Sequence, residues 1–415
     1  MNLRLHRPAQ GIISERIHLP GSKSISNRVL IIKALSNLPF FIENLSDSDD
    51  TYYLQKALEN IESTSLINVG HAGTDMRFLT AFLSLKNGRF ELTGSDRLQQ
   101  RPIKDLVEVL KDLGANIIYK HKEGFPPLII EGRQLSGGNA SISGNVSSQF
   151  ITSLLLVAPY FTNGLRLTIQ GELVSAPYVN MTIDIMRAFG ASVNWINNQI
   201  IVNPVPYSYS KSTYLVEGDW SAASYYYSMI ALSEINNNLK LVGLFKNSLQ
   251  ADSVCDLIFK QLGVLTSYGD NEILITKSQL HQRNPLLYNF IQCPDIVQTL
   301  ACTCMGLKVP FSFSGLQTLK IKETNRLEAL QNEFEKFGIN LEVKNNCLQY
   351  EPINNDVVGP LQIKTYNDHR MAMSFAPLSL LFDFISIEHA DVVSKSYPQF
   401  WEHLKIIGIH QTPGE

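Results

Sequence analysis

A chain of 415 residues is too long to bury its apolar side chains in one ordinary core, so we expect two domains. Apolar residues make up 44% of the chain and charged residues 18%, a composition typical of globular proteins and not of disordered or membrane-embedded ones. The formal net charge of −3 argues against nucleic acid as a partner, because proteins that bind nucleic acid usually carry an excess of cations.

The cysteines and the N-terminus indicate the compartment. The cysteines form no C-x-x-C pair, which favours reduced, structural thiols in a cytosolic protein. The N-terminal segment has no apolar core of signal-peptide length. The most apolar run, residues 150–161, is shorter than the ~20 residues that span a bilayer. We therefore expect a cytoplasmic protein that binds no membrane, and we expect a monomer.

The first candidate binding segment is LPGSKSISNR at residues 19–28, where a short strand leads through a glycine turn into a helix. Ser24 and Arg28 are four residues apart and share a helix face, with Lys23 at the start of the helix. A hydroxyl, an ammonium and a guanidinium beside free backbone N–H groups suit a bound oxyanion. The segment is not a Walker A loop, because the pattern G-x-x-x-x-G-K-[ST] is absent.

Two further turns enter helices in the first half of the chain. The motif HAGTDMR places Gly73 and Arg77 on one helix face, and glycine allows a ligand to approach the backbone closely. The motif SSQ at residues 147–149 precedes an apolar helical run. A helix cap explains each of these motifs as well as a binding site does.

A segment made of a helix, a glycine and a strand recurs along the chain. Each copy is an amphipathic helix pattern that ends at a glycine and continues as an alternating apolar strand. The glycines are separated by 76, 73, 75 and 70 residues: Gly114, Gly190, Gly263, Gly338 and Gly408. With a degenerate copy from Thr51, there are six units, which predict two domains of three α/β units each.

Cations recur where these helices should begin. Twelve or 13 residues before four of the glycines stand Arg101, Tyr178, Arg326 and Lys395; three of these residues are cationic and Tyr178 carries a hydroxyl. A cation at a helix N-terminus opposes the helix dipole, so its repetition favours an anionic ligand that offsets the repulsion. Solvated surface cations remain the alternative interpretation.

Three motifs in the second half place charged residues at predicted helix starts. KETNR at residues 322–326 holds two cations and a carboxylate, and NDHR at residues 367–370 precedes a run of small residues. Asp295 follows Cys293-Pro294 before another apolar helix. Asp295 and Asp368 also fit the simpler role of helix caps.

Taken together, these segments resemble the 5-enolpyruvylshikimate-3-phosphate (EPSP) synthase family. The matching segments occur in family order between residues 19 and 400: LPGSKSISNR, HAGTDMRFL, LTGSDRLQQRPI, NVSSQF, SAPY, VEGDWSAASYY, KIKETNR, YNDHRMAMSFAP and SKSYPQFW. The resemblance implies an α/β fold of two domains, each with three βαβαββ repeat units, in the inside-out α/β barrel arrangement of enolpyruvyl transferases. The domains are expected at residues 20–216 and at residues 1–19 plus 217–415.

The resemblance also implies the reaction. A member of this family transfers the enolpyruvyl group of phosphoenolpyruvate to the 5-hydroxyl of shikimate 3-phosphate and releases phosphate, in the shikimate pathway of aromatic amino acid biosynthesis. No metal and no organic cofactor are expected, since phosphate is already a competent leaving group.

Site residues follow from the matched motifs. The expected ligands of shikimate 3-phosphate are Lys23, Ser24, Arg28, Ser147, Ser148, Gln149, Ser175, Tyr178, Asp295 and Lys322. The expected ligands of phosphoenolpyruvate are Lys23, Gly73, Arg101, Gln149, Arg326, Arg370 and Lys395. Asp295 is expected to be the base for the hydroxyl, although the division of roles between Asp295 and Glu323 stays open. Glu323 and Lys395 are candidates for the proton at C3, and Lys23 for charge stabilisation.

Three positions depart from the family pattern. His71 replaces the usual Asn, Asn325 replaces the usual Asp, and Thr318 stands where the family often has an Asn.

Two other functions compete with this interpretation. The nearest rival is the UDP-N-acetylglucosamine enolpyruvyl transferase, which typically has a Cys on the loop where residues 95–101 contain none. A noncatalytic, repeat-built anion-binding module is the more distant rival.

Overall fold

The computed structural model describes residues 1–279, 284–352 and 361–414. The chain divides into two compact units: a first unit of Ser22–Val216, and a second unit of Met1–Gly21 with Glu217–Glu415. The N-terminal segment thus belongs with the second half of the chain, and the chain changes unit twice.

The elements are numbered in chain order. The strands are β1 (Leu3–His6), β2 (Arg16–His18), β3 (Phe41–Glu43), β4 (Leu66–Asn68), β5 (Gly88–Thr93), β6 (Asn116–Tyr119), β7 (Leu128–Gly132), β8 (Gly138–Ser143), β9 (Leu165–Gln170), β10 (Val193–Ile196), β11 (Gln199–Val202), β12 (Thr213–Leu215), β13 (Asn238–Val242), β14 (Val264–Tyr268), β15 (Glu272–Lys277), β16 (Leu286–Asn289), β17 (Phe311–Ser314), β18 (Glu342–Lys344), β19 (Cys347–Tyr350), β20 (Leu361–Ile363), β21 (Phe384–Ile387) and β22 (Gln411–Pro413).

The α-helices are α1 (Lys23–Ser36), α2 (Asp49–Glu59), α3 (Gly73–Leu85), α4 (Asp96–Gln99), α5 (Lys104–Asp112), α6 (Ser148–Val157), α7 (Ala176–Ala188), α8 (Trp220–Leu232), α9 (Cys255–Gln261), α10 (Val297–Leu307), α11 (Arg326–Lys336), α12 (His369–Phe375) and α13 (Phe400–Ile406). Short 3-10 turns lie at Ala158–Tyr160, Ala251–Val254, Pro294–Ile296, Gln317–Ile321, Ala376–Leu380 and Ala390–Lys395.

The first unit contains two complete copies of the repeat. In one copy, β4 and β5 are parallel and joined through α3, and the chain returns through α5 to the antiparallel pair β6 and β7. The sheet order is β4-β5-β7-β6, and β8-β9-β11-β10 repeats it. The degenerate copy around α2 has no such hairpin, and its β3 pairs in parallel with β12.

The second unit completes two of its three sheets with strands from the N-terminus. The sheet β16-β17-β19-β18 has the same order as the copies in the first unit. Strand β2 lies parallel to β13, and β1 lies antiparallel between β21 and β22. The N-terminal residues therefore supply the strands that two repeats of the second unit lack.

The expected α/β fold of repeated units is confirmed. In the described part of the chain the six sheets are separate and none closes on itself. The inside-out character lies in the helices: every residue of α6 from Phe150 to Val157 is buried, and so is α8 apart from Ser221. The strands expose one face, as in the alternating burial of β15.

The predicted helix-ending glycines are also confirmed. Each lies two residues after the last residue of α5, α7, α9, α11 or α13. Their φ angles are positive, between 70° at Gly338 and 107° at Gly114. This left-handed conformation carries little penalty without a Cβ atom, which is why the repeat keeps glycine there.

A ladder of hydroxyls shows how the repeat aligns helices in the second unit. Ser224 of α8 lies 3.2 Å from Thr299 of α10, and Thr299 lies 3.2 Å from Ser374 of α12. Each pair is 75 residues apart, so equivalent positions of three repeats meet side by side. The N-termini of these helices therefore lie at one end of the unit, where the candidate residues are.

Candidate active site

Arg326 is the centre of a charged cluster in the second unit. It begins α11 and is only 1% exposed. Its Nη1 donates to Asp295 Oδ1 at 3.1 Å, and its Nη2 donates to Glu323 Oε2 at 2.9 Å. Its Nε donates to Asp368 Oδ2 at 2.8 Å. One buried guanidinium thus joins carboxylates from three separate segments.

Two more cations meet Asp295, and another meets Glu323. Arg370 Nη2 lies 3.1 Å from Asp295 Oδ2, and Lys322 Nζ lies 3.5 Å from Asp295 Oδ1. Lys395 Nζ lies 2.9 Å from Glu323 Oε1. The cluster therefore brings together all the predicted site residues of the second unit.

The cations decide the ionisation of Asp295. Burial raises the pKa of this carboxyl, but the charges of Arg370, Lys322 and Arg326 outweigh burial and hold the pKa well below its usual range. Asp295 is therefore a carboxylate at neutral pH and can accept a proton.

Asp368 has two roles in the same cluster. It caps α12 by accepting a hydrogen bond from the backbone N–H of Arg370 at 2.9 Å. It also binds Arg326, as described above. The simpler interpretation of Asp368 as a cap and the ligand-site interpretation are therefore compatible.

Lys23 and Arg28 project from the first two turns of α1 in the first unit. Lys23 Nζ lies 3.0 Å from Asp50 Oδ2. Arg28 is 3% exposed, and its Nε donates to Thr182 Oγ1 at 2.8 Å. Its remaining hydrogen bonds in the described residues go to the neutral oxygens of Ser24 (backbone), Tyr178 (backbone) and Thr152.

Arg28 therefore carries a buried charge with no carboxylate within ion-pair distance in the described residues. Burial lowers its pKa to about 10, with a smaller opposing effect from Tyr178. An uncompensated buried cation is costly, and an anionic ligand would relieve that cost.

Gly73, at the start of α3, faces two guanidinium groups. Arg77 Nη1 donates to the backbone oxygen of Gly73 at 2.7 Å. A Cβ atom at position 73 would lie 2.4 Å from Arg101 Nη1 and 2.9 Å from Arg77 Nη1. A side chain at this position would force both guanidinium groups to move, so glycine allows them to lie close to its backbone.

The remaining predicted residues of the first unit lie at helix starts. Ser147 caps α6 by accepting from the backbone N–H of Gln149 at 3.3 Å, and Ser148 is the first residue of that helix. Gln149 Nε2 donates to Thr74 Oγ1 of α3 at 2.9 Å. Ser175 precedes α7 with a φ of 60°, so the chain turns sharply there.

The positions that depart from the family pattern have distinct surroundings. Asn325 does not cap α11, and its Nδ2 donates instead to Glu328 Oε2 at 3.0 Å. His71 is exposed. Thr318 Oγ1 is buried and has no hydrogen-bond partner in the described part of the chain.

The sequence interpretation missed several partners of the site residues. Asp50 pairs with Lys23, and Thr152 and Thr182 hold Arg28. Asp50 lies in the acidic run DSDD, which is the only sequence signal for its pairing. The threonines are ordinary residues inside apolar helices, and only packing shows their role.

The described residues offer neither a metal site nor a membrane-spanning helix. Residues 1–279, 284–352 and 361–414 contain no group of three or more His, Cys, Asp or Glu side chains arranged to hold a metal ion. Within the same ranges, no helix combines the length and apolarity needed to cross a bilayer.

Comparison with known proteins decides the family. The family model described as EPSP synthase (3-phosphoshikimate 1-carboxyvinyltransferase) matches residues 9–66 and 61–404. The chain belongs to the EPSP synthase family. It is 48% identical to the 3-phosphoshikimate 1-carboxyvinyltransferase of Bacteroides fragilis (strain YCH46), with 100% of both chains covered. It is 34% identical to that of Histophilus somni (strain 2336), covering 96% of this chain and 98% of the relative.

Solved structures in the family have the same fold. The EPSP synthase of Acinetobacter baumannii superposes with a TM-score of 0.79 at 19% identity, and 100% of each chain is covered. The expected membership of this family is confirmed, and the chain is an enzyme of the 3-phosphoshikimate 1-carboxyvinyltransferase class. These matches favour this family over the rival UDP-N-acetylglucosamine transferase.

Proposed function

We propose that the charged cluster around Arg326, together with Lys23 and Arg28 of the first unit, carries out enolpyruvyl transfer from phosphoenolpyruvate to the 5-hydroxyl of shikimate 3-phosphate. The single observation that supports their use most strongly is the convergence of Arg326, Arg370 and Lys322 on Asp295. A carboxylate surrounded by cations combines a proton acceptor with groups that bind anions.

Shikimate 3-phosphate supplies the anion that Arg28 lacks. Its proposed ligands in the first unit are Lys23, Ser24, Arg28, Ser147, Ser148, Gln149, Ser175 and Tyr178. In the second unit they are Asp295 and Lys322. A phosphate near Arg28 and Lys23 would offset the burial of these cations, and hydroxyl donors at helix starts suit phosphate oxygens.

Phosphoenolpyruvate requires cations for both its carboxylate and its phosphate. Its proposed ligands are Lys23, Gly73, Arg101, Gln149, Arg326, Arg370 and Lys395. Gly73 serves by letting guanidinium groups lie close to its backbone, and guanidinium groups bind planar oxyanions with two parallel hydrogen bonds.

The chemistry is an addition followed by an elimination. In the addition, the 5-oxygen forms a bond to C2 of phosphoenolpyruvate, its proton passes to Asp295, and C3 takes a proton from Glu323 or Lys395. In the elimination, C3 returns a proton to the same group, the double bond between C2 and C3 forms again, the bond from C2 to the phosphate oxygen breaks, and phosphate departs. Lys23 stabilises the negative charge that develops on the bridging oxygen.

Substrate binding would tune the base. In the free protein three cations lower the pKa of Asp295. When the phosphate and carboxylate groups of the substrates pair with those cations, less positive charge remains for Asp295, and its pKa rises. Asp295 would therefore become a stronger base once both substrates are bound.

Four further expectations belong to this proposal. We propose that the two compact units are the domains predicted at residues 20–216 and at residues 1–19 with 217–415. We also propose that the enzyme works as a monomer in the cytoplasm and without cofactor. Sedimentation at enzymatic concentrations tests the monomer.

The proposed reaction is tested by phosphate release. Purified protein should release phosphate from phosphoenolpyruvate when shikimate 3-phosphate is present and not when it is omitted. UDP-N-acetylglucosamine serves as the control acceptor. Equal or greater release with this control would overturn the assignment.

A further inference from the structure

A second carboxylate is buried behind Arg370. Asp252 lies in the 3-10 turn at Ala251–Val254 and is only 5% exposed. Its Oδ2 accepts a hydrogen bond from Ser221 Oγ. Its Oδ1 is also buried and has no hydrogen-bond partner among the described residues. The mechanism described above does not use this side chain.

Ser221 links Asp252 to the cluster. It is the second residue of α8, and its Oγ lies 3.4 Å from Arg370 Nη2. A serine hydroxyl has one hydrogen, so when it donates to Asp252 its lone pairs are left to accept from Arg370. Arg370 Nη1 in turn donates to the backbone oxygen of Asp295 at 3.1 Å.

We infer that Asp252 is a positioning residue, which acts through Ser221 to hold the Arg370 guanidinium in the orientation that binds the donor substrate. This inference rests on the proposed function, in which Arg370 is a ligand of phosphoenolpyruvate. Asp252 itself touches neither substrate.

The charge state of Asp252 supports the same role. Burial, followed by the nearby charge of Asp295, raises the pKa of Asp252 to about 7, and Arg370 and Ser221 oppose this rise. A protonated Asp252 can donate to Ser221 Oγ, which reverses their hydrogen bond and weakens the contact of Ser221 with Arg370, while Arg370 keeps its ion pair with Asp295. The titratable and hydrogen-bonding groups that face Asp252 from the surrounding elements are Asp219, Ser221, Cys255, Cys293, Asp295 and Arg370.

The kinetic test is a double-mutant cycle of Asp252→Ala and Ser221→Ala. Each single variant should raise the KM for phosphoenolpyruvate by about 10- to 150-fold, the range for losing a hydrogen bond to a charged group. The kcat and the dissociation constant of shikimate 3-phosphate should stay within about twofold. The double variant should resemble either single variant, because both act on one linkage.

The conservative variant and the pH profile separate positioning from a general structural role. Asp252→Asn keeps an acceptor for Ser221 and should restore the KM. In the wild type, the KM for phosphoenolpyruvate should rise as the pH falls through about 7, and Asp252→Asn should lack that part of the rise. Asp256→Asn is the matched control. Asp256 lies on the neighbouring helix α9 and accepts a hydrogen bond from Tyr268 Oη at 2.7 Å.

Each result has one meaning. If the KM increases of the two single variants multiply in the double variant, the role of Asp252 is overturned. A change confined to the dissociation constant of shikimate 3-phosphate would also overturn it. So would wild-type kinetics in both single variants. If Asp252→Ala does not fold, Ser221→Ala alone carries the KM test. A wild-type protein that releases no phosphate with both substrates contradicts the proposed function, which separates that failure from a failure of this inference.

Discussion

Asp295 illustrates how one residue carries several roles in this site. Its carboxylate binds Arg326, Arg370 and Lys322, and it lies in the 3-10 turn that leads into α10. From the sequence, a cap and a base were both reasonable interpretations. The structure adds a third role, as the anion that neutralises the cluster in the absence of substrate.

Replacing Asp295 with asparagine should therefore affect both rate and stability. We expect Asp295→Asn to lower kcat by about 10²–10⁴-fold, because the amide cannot accept the hydroxyl proton. We also expect a lower melting temperature without ligand, since the cations lose a charged partner. Steady-state kinetics well below the melting temperature, together with thermal unfolding, measure the two effects separately.

Glu323→Gln is the paired variant. It should impair protonation at C3 and leave the hydroxyl base in place. If Asp295→Asn keeps kcat within tenfold of the wild type, Asp295 is not the base and Glu323 becomes the leading candidate.

At the scale of elements, α11 supports the segment that leads into α12. Glu333 of α11 is completely buried and accepts hydrogen bonds from the Lys364 backbone N–H at 3.1 Å and from Tyr366 Oη at 2.8 Å. Tyr366 and Asn367 have φ angles of 54° and 55°, so this segment depends on fixed contacts. Glu333 thus holds the segment of chain that leads to Arg370.

Glu333→Gln should destabilise the protein by about 1–3 kcal/mol, because the neutral amide loses the ion pair with Lys336 and cannot accept from Lys336, Lys364 and Tyr366 together. Urea denaturation measures the change in the free energy of unfolding. Glu335→Gln, an exposed neighbour on the same helix, is the control and should change stability by less than about 0.5 kcal/mol. Equal effects of both variants would contradict the role of Glu333.

At the scale of the whole molecule, two carboxyls of opposite behaviour should shape the pH dependence of stability. Asp252 has a raised pKa of about 7, so the folded state binds its proton more tightly than the unfolded state. Stability from this group therefore falls as the pH rises from about 4 to about 7. Asp295 has a depressed pKa, so its contribution is present above about pH 4 and is lost as the pH falls further.

We therefore expect the wild type to gain stability on acidification from pH 7 to pH 5, relative to Asp252→Asn. Both proteins should lose stability below about pH 4. Urea unfolding across this pH range measures the difference. Parallel curves for the two proteins between pH 5 and pH 7 would show that Asp252 does not titrate there.

The local pattern of the sequence determined the repeat and much of the candidate site. The glycines after α5, α7, α9, α11 and α13 were predictable because ending a helix in the left-handed conformation is a local requirement. The motifs around Lys23, Arg326 and Arg370 could be singled out as candidates because the free N–H groups at helix starts favour anionic ligands. These signals depend on spacing along the chain and do not require knowledge of what packs against what.

Only the tertiary structure decided the pairing of the charged groups and the completion of the sheets. Asp252 and Asp295 are 43 positions apart in the sequence, and nothing local indicates that both neighbour Arg370. Nor does anything local indicate that β1, near the start of the sequence, pairs with β21 and β22, which lie near its other end. Burial and long-range contacts set the pKa values and partners in this protein, because the field at a side chain depends on its neighbours in space and not on its neighbours in sequence.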